Sequence, residues 1–300
     1  MKEVLKKCNL CPRNCLINRS KTTGICGMKD KLMIARASLH MWEEPCISGT
    51  NGSGTIFFTG CNLKCIFCQN HDISTKLIGQ EITIEDFSNI CLNLQKQGAN
   101  NINLVTPTHF VPLIIEGLKL AKQKGLTIPI VYNTSSYENI ETIKMLDGII
   151  DIYLPDLKYY DNEYAIKYSH APNYFNYAKL AIEEMFKQVG KPKFNKEGIM
   201  TSGIIIRHLM MPGLKEDTKQ ILNYLHNKYK NNVYISIMNQ YTPIRNFKNF
   251  KELNNKISEN DYNEIINYAI DLGIKKAFIQ EGDTASESFI PNFLNQDLPL

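Results

Sequence analysis

The chain has 300 residues, 43% of them hydrophobic and 21% charged, with a net charge of +4. This excludes a disordered or fibrous chain, and a weak positive charge without a basic stripe gives no case for nucleic-acid binding. No apolar run is long enough to span a bilayer, and the charged residues 1–7 lack the apolar stretch of a secretory signal. The expectation is a cytoplasmic protein. Thiols stay reduced there, so nine cysteines, an odd number, point to metal binding or catalysis rather than disulfides.

In chain order, residues 1–27 come first, with Cys8, Cys11, Cys15 and Cys26 among polar residues and glycines. Such a segment cannot build its own apolar core and needs a staple. Four thiols suit a closed structural zinc site or a second [4Fe–4S] cluster; the C-x2-C gap favours zinc. From about residue 50, short apolar runs alternate with helical patterns. Strands are predicted at 55–58, 102–105, 128–132, 149–154, 203–208 and 233–237, with a last apolar run at Ala277–Ile279. Helices are predicted from Thr83 to Gly98, then at 111–124, 174–189, 215–228 and 261–272. Cys46 and Cys91 read as structural. The predicted domains are a cysteine-rich extension over 1–50 and an α/β domain over 51–300.

Strand–helix alternation implies a parallel sheet with right-handed crossovers, either an open doubly wound sheet or an incomplete barrel. Both place chemistry at the C-terminal ends of the strands. The loops to inspect are therefore 59–70, 106–110, 133–137, 155–160, 209–213 and 238–242.

The first of these loops reads "GCNLKCIFCQN". It places Cys61, Cys65 and Cys68 within eight residues, close enough to turn three thiolates toward one point, as an iron–sulfur cluster or zinc requires. If the trio held a zinc ion in an interaction protein, it would need a fourth ligand such as His71 or His109. Asp156 and Lys158 alternate on one face of an extended segment. A carboxylate and an ammonium there read either as an ion pair or as groups that bind hydroxyls and a carboxylate. Arg207 lies within an apolar run and demands a carboxylate partner; His208 is its neighbour. Asn133 and Ser135 read as a turn or as donors to hydroxyls. Glu281, Gly282 and Asp283 would line the open side.

The pattern Cys61-x3-Cys65-x2-Cys68, with Phe67 before the last cysteine, resembles the cluster loop of radical S-adenosylmethionine (SAM) enzymes. The branch it is similar to is that of pyruvate formate-lyase activating enzyme-like proteins. The likeness extends through "LHMWEEPCISG", "NINLVTPTHF", "VYNTSSYE", "DIYLPDLKY", "IIIRHLMMPG" and "MNQYTP". It implies an incomplete (β/α)6 radical SAM barrel with an N-terminal cysteine-rich extension. It further implies a [4Fe–4S] cluster on Cys61, Cys65 and Cys68, with the fourth iron left for SAM, and a 5′-deoxyadenosyl radical for hydrogen abstraction. The target implied is a glycine of a glycyl-radical enzyme, with another peptide, RNA or small molecule as alternatives. The electron donor would be a flavodoxin or ferredoxin. The resemblance also assigns SAM contacts to Phe67, Thr106, Thr108, Asn133, Asp156, Lys158, Arg207 and Tyr241, the last beside Gln240. The chain departs from the pattern after its second predicted strand, where "TPTH" replaces a glycine-rich GGE motif; the hydroxyls and carbonyls of Thr106 and Thr108 would substitute.

Overall fold

The computed structural model describes residues 2–280, 293 and 298–299. In chain order the strands are β1 (Leu32–His40), β2 (Ser53–Phe58), β3 (Gln80–Ile82), β4 (Ile102–Val105), β5 (Ile130–Thr134), β6 (Ile152–Pro155), β7 (Lys193–Phe194), β8 (Met200–Leu209), β9 (Tyr234–Met238) and β10 (Ala277–Ile279). The helices are α1 (Pro45–Ser48), α2 (His71–Ser74), α3 (Ile84–Lys96), α4 (Val111–Gln123), α5 (Ile140–Lys144), α6 (Asn162–Ser169), α7 (Tyr174–Val189), α8 (Lys215–Tyr229) and α9 (Glu259–Asp271).

One sheet runs β10-β9-β8-β6-β5-β4-β2-β1-β3, with β7 paired to β8. From β2 to β10 the strands along this path are parallel and follow chain order. Every crossover therefore advances in the same direction. A doubly wound sheet would reverse at a switch point; this sheet instead curls into an incomplete barrel.

Side-chain alternation agrees. Ile130, Tyr132, Tyr153, Ile204, Ile206, Ile235 and Ile237 join the large core with the helices, whereas Val131, Ile152, Leu154 and Ile205 form a separate cluster with Cys46 and Ile47. The second cluster fills one end of the barrel. His40 pairs with Ser53, so residues 41–52 turn at the N-terminal end of β2. Asn100 and Asn101 donate to the carbonyls of Ser48 and Ile47 (2.6 and 2.8 Å), seating α1 as a floor.

The helix starts follow their caps: Thr83 Oγ1 accepts from Asp86 N–H at 3.0 Å while the Asp86 carboxylate accepts from Thr83 N–H at 2.9 Å. Phe87, Ile90, Cys91 and Leu94 are then buried on one face of α3. Several strands run past their apolar runs into polar residues. β5 ends on Asn133 and Thr134, because inward positions at that end meet a polar cavity. β1 and β3 were not expected. Both pair antiparallel at the sheet's edge, outside the strand–helix beat. β1 also draws residues 32–40, assigned by composition to the extension, into the sheet.

Candidate active site

β2 delivers the cysteine loop at its C-terminal end, opposite the α1 floor. The loop is tied to α6 by Ile66 N–H to Tyr168 O (2.9 Å) and Lys64 N–H to Ser169 O (3.3 Å). Each sulfur accepts a hydrogen bond. Leu63 N–H donates to Cys61 Sγ (3.4 Å), Ser169 Oγ to Cys65 Sγ (3.0 Å) and Ser74 Oγ to Cys68 Sγ (3.4 Å). Burial pushes the Cys61 thiol up to about 12 and that of Cys65 to about 11, and raises Cys68 as well. Lys158 pulls the latter two back toward the thiolate. Three sulfurs on one loop, each with a donor and two of them beside an ammonium, fit an anionic thiolate-bound cluster, whose properties such hydrogen bonds tune.

A cavity of about 620 Å³ opens beside them, within the range of small-molecule sites. Cys65, Cys68 and Phe67 line one end and Glu43, Ser48 and Gly49 the other. Along its wall runs an alternating row of charge. Lys158 Nζ meets Asp156 Oδ2 at 2.7 Å. The Arg207 guanidinium meets Asp156 Oδ1 at 3.0 Å and Glu43 Oε2 at 3.3 Å, and its Nη2 donates to Asn133 Oδ1 at 2.6 Å. Glu43 Oε1 accepts from Asn103 at 3.0 Å and lies 3.5 Å from Asn133 Nδ2. Burial alone would push the Asp156 carboxyl up, but Lys158 and Arg207 outweigh it and hold the group below the carboxylate range. Burial raises Glu44, which bonds Ser236.

The strand-end rule thus brings together Cys65, Phe67, Cys68, Asn133, Asp156, Lys158, Arg207, Gln240 and Tyr241 around one cavity. The Tyr241 ring meets Phe67 edge-on at 6.1 Å, and its hydroxyl donates to Leu253 O at 2.6 Å, so it offers the cavity a ring rather than a hydroxyl. Arg207, which demanded a carboxylate partner, finds it in Asp156 and Glu43 and is held further by Asn133.

Thr108 departs from expectation. Its hydroxyl donates at 2.7 Å to Glu138, a buried carboxylate that also accepts from Tyr132 (3.2 Å) and Thr134 (2.6 Å), and so faces away from the cavity. Burial lifts Glu138 to about 7, against those three hydroxyls. Thr106 has φ +59°, rare for a β-branched residue, and its N–H donates to Asn133 O at 2.9 Å. The Ser135 carbonyl accepts from the Tyr174 hydroxyl at 2.8 Å.

His109 and His208 are structural. His109 Nε2 lies 2.8 Å from Thr59 O, and burial drives its pKa down to about 3. The His208 ring spans Leu157 O and the Thr218 hydroxyl, and burial takes its pKa to about 4. Among the described residues, no three His, Cys, Asp or Glu side chains are drawn together around one metal ion. A cluster asks for something different, each thiolate on its own iron. Glu281, Gly282 and Asp283 lie outside the described residues.

The features missed in sequence were Glu43, Glu138, Ser74 and Ser169. Glu43 sits in a phrase singled out for resemblance, but nothing local gave it a role.

A strand-end thiolate triad beside a charged cavity in an incomplete barrel defines an iron–sulfur enzyme with room for a second cofactor. Residues 55–238 match the radical SAM superfamily, and the chain belongs to it. The uncharacterised protein MJ0674 of Methanocaldococcus jannaschii is 30% identical over 274 residues, 88% of this chain and 73% of that protein. The pyruvate formate-lyase-activating enzyme of Clostridium pasteurianum is 26% identical over 191 residues, 62% of this chain and 72% of that protein. Among solved structures, Streptococcus suis SuiB bound to S-adenosylmethionine matches with a TM-score of 0.50 at 14% identity, over 75% of this chain. The chain spans 49% of that structure's length, and the likeness is one of fold. Membership implies a [4Fe–4S] cluster and SAM. No described helix is long and apolar enough to cross a membrane.

Proposed function

We propose that this radical SAM enzyme abstracts a hydrogen atom from a glycine of a partner protein, as an activator of a glycyl-radical enzyme. The observation that carries the reading is the similarity to a pyruvate formate-lyase-activating enzyme over 62% of the chain. The cavity's rim supports it: Met41 and Trp42 line the cavity yet stay 44% and 67% exposed, as contacts for a large substrate would be.

Cys61, Cys65 and Cys68 would hold the cluster, which with SAM supplies a 5′-deoxyadenosyl radical when bound. Ser169, Ser74 and the Leu63 amide donate hydrogen bonds to the three sulfurs, stabilising the thiolate form. Lys158 has Asp156 as its anchor and offers remaining N–H groups to a carboxylate. Phe67 and Tyr241 supply an apolar wall that keeps water from a reactive species. Arg207 fixes Asp156 and Asn133 relative to the floor.

The test is anaerobic reconstitution with iron and sulfide, then SAM and a strong reductant. The expected result is 5′-deoxyadenosine. Adding the candidate glycyl-radical enzyme should give a glycyl radical signal by electron paramagnetic resonance. Cleavage of SAM with no radical on any such partner would overturn the proposed target while keeping the chemistry.

A further inference from the structure

The N-terminal cysteines lie outside the span that matches the superfamily, which begins at residue 55. Cys8, Cys11 and Cys26 are buried and Cys15 half-buried. Cys8 is clipped to the chain that follows: Leu16 N–H donates to Cys8 O (2.8 Å) and Cys8 N–H to Ile17 O (2.9 Å). That folds the Cys15 end of the segment back on the Cys8 end. Asn14 and Leu16 hold left-handed backbone, with φ of +40° and +54°, a costly conformation for side chains of these kinds and most of all for Leu. A Cβ on Gly24 would touch both Cys15 Sγ and Cys26 Sγ at 3.5 Å, so these sulfurs flank the same bare position.

One further feature points to a ligand: two arginines lie within the segment, one of them fully buried. Arg19 is fully buried, bonded to the carbonyls of Met28, Lys29 and His109. Arg13 stacks on Tyr137, and its Nη2 is buried without a protein partner. Four thiolates around Zn²⁺ or a [4Fe–4S]²⁺ core carry a net charge of about −2, which two arginines would balance.

The module abuts the loop that bears Cys61. Gly60 has φ +86°, and a Cβ there would lie 2.6 Å from Cys26 O. Only glycine lets the two backbones meet this closely. On the other side of Cys61, Arg13 Nε donates to Asn62 O at 2.8 Å.

We propose that Cys8, Cys11, Cys15 and Cys26 ligate a second, closed tetrathiolate metal centre, and that this centre braces the catalytic loop at Gly60 and Asn62. All four positions are protein ligands, so the centre binds no substrate. The shared chemistry is four thiolates on a thiophilic metal, a zinc ion or an iron–sulfur cluster; the four sulfurs do not stand at single-ion spacing in the structure, and binding would draw them in.

The test uses the full chain with Cys61, Cys65 and Cys68 all changed to Ala, purified anaerobically, so that any stoichiometric metal belongs to the N-terminal set. Metal and acid-labile sulfide analysis should give either about one zinc without sulfide, or about four iron with about four sulfide. No stoichiometric metal in a variant that still melts cooperatively would overturn the proposal. The bracing is read separately, on Cys11→Ser/Cys26→Ser in the otherwise intact chain. Hydrogen exchange of residues 60–63 should rise at least tenfold. Unchanged exchange with the metal lost would overturn the bracing. Neither readout depends on SAM cleavage.

Discussion

The two cysteine sets stand back to back and differ in what surrounds them. Cys65 and Cys68 face a cavity lined by Lys158, Asp156 and Arg207. The N-terminal set faces its own turns, the buried Arg19 and the half-buried Arg13, and none of its sulfurs lines that cavity. Three ligands beside a cavity leave a coordination position for chemistry; four ligands in a closed pocket leave none. On the proposed assignment, ligand number and access, more than ligand type, would separate the catalytic site from the structural one.

Four perturbations test that contrast, in order of expected effect. Cys65→Ala should abolish SAM cleavage by the reconstituted protein while leaving the N-terminal metal in place; an assay for 5′-deoxyadenosine with parallel metal analysis reads both. Full cleavage by this variant would dissolve the distinction. Asp156→Ala should cost about 3–5 kcal/mol of stability in a urea titration, because it leaves Lys158 and Arg207 buried without their shared partner.

Glu138 lies beside the N-terminal set, bonded to Thr108 and Thr134 and felt by Cys11. Its folded pKa of about 7 lies above the unfolded 4.5. The native chain therefore keeps a proton that the unfolded chain has lost, and Glu138 erodes stability as pH rises from about 4.5 to 7. Glu138→Gln should gain on the wild type across that window, by on the order of 3 kcal/mol, and no further above it. Melting curves at several pH values measure this; a constant difference would refute it. Ser169→Ala should do least. It should remove about 1 kcal/mol of stability and slow SAM cleavage a few-fold, through loss of the donor to Cys65. An unchanged rate would mean the sulfur needs no such donor.

Much of the site was legible in sequence. The cysteine spacing is local, and the rule that parallel strands present chemistry at their C-terminal ends led to Asn133, Asp156, Lys158 and Arg207. The local pair of Asp156 and Lys158, and an acid for Arg207, were open to sequence reasoning; which distant acids Arg207 meets was not legible. Arg207 finds Asp156 from 51 residues away and Glu43 from 164, and no periodicity records such distances. Thr108 misled for a related reason. Its position at a strand end is as expected, but a buried carboxylate 30 residues on claims its hydroxyl. Ser74 and Ser169 are ordinary polar residues until folding sets them against sulfur.

The row of charge has a mechanical side. A closed barrel is held round by an unbroken ring of backbone hydrogen bonds; this sheet, running from β10 to β3, has no such ring among the described residues. Glu43, Arg207, Asp156, Asn133 and Asn103 come from the floor segment and from or beside β8, β6, β5 and β4, and they join across the lumen. They act as cross-laces that hold the open sheet at one curvature, so the width of the chamber is set by side chains rather than by closure of the wall.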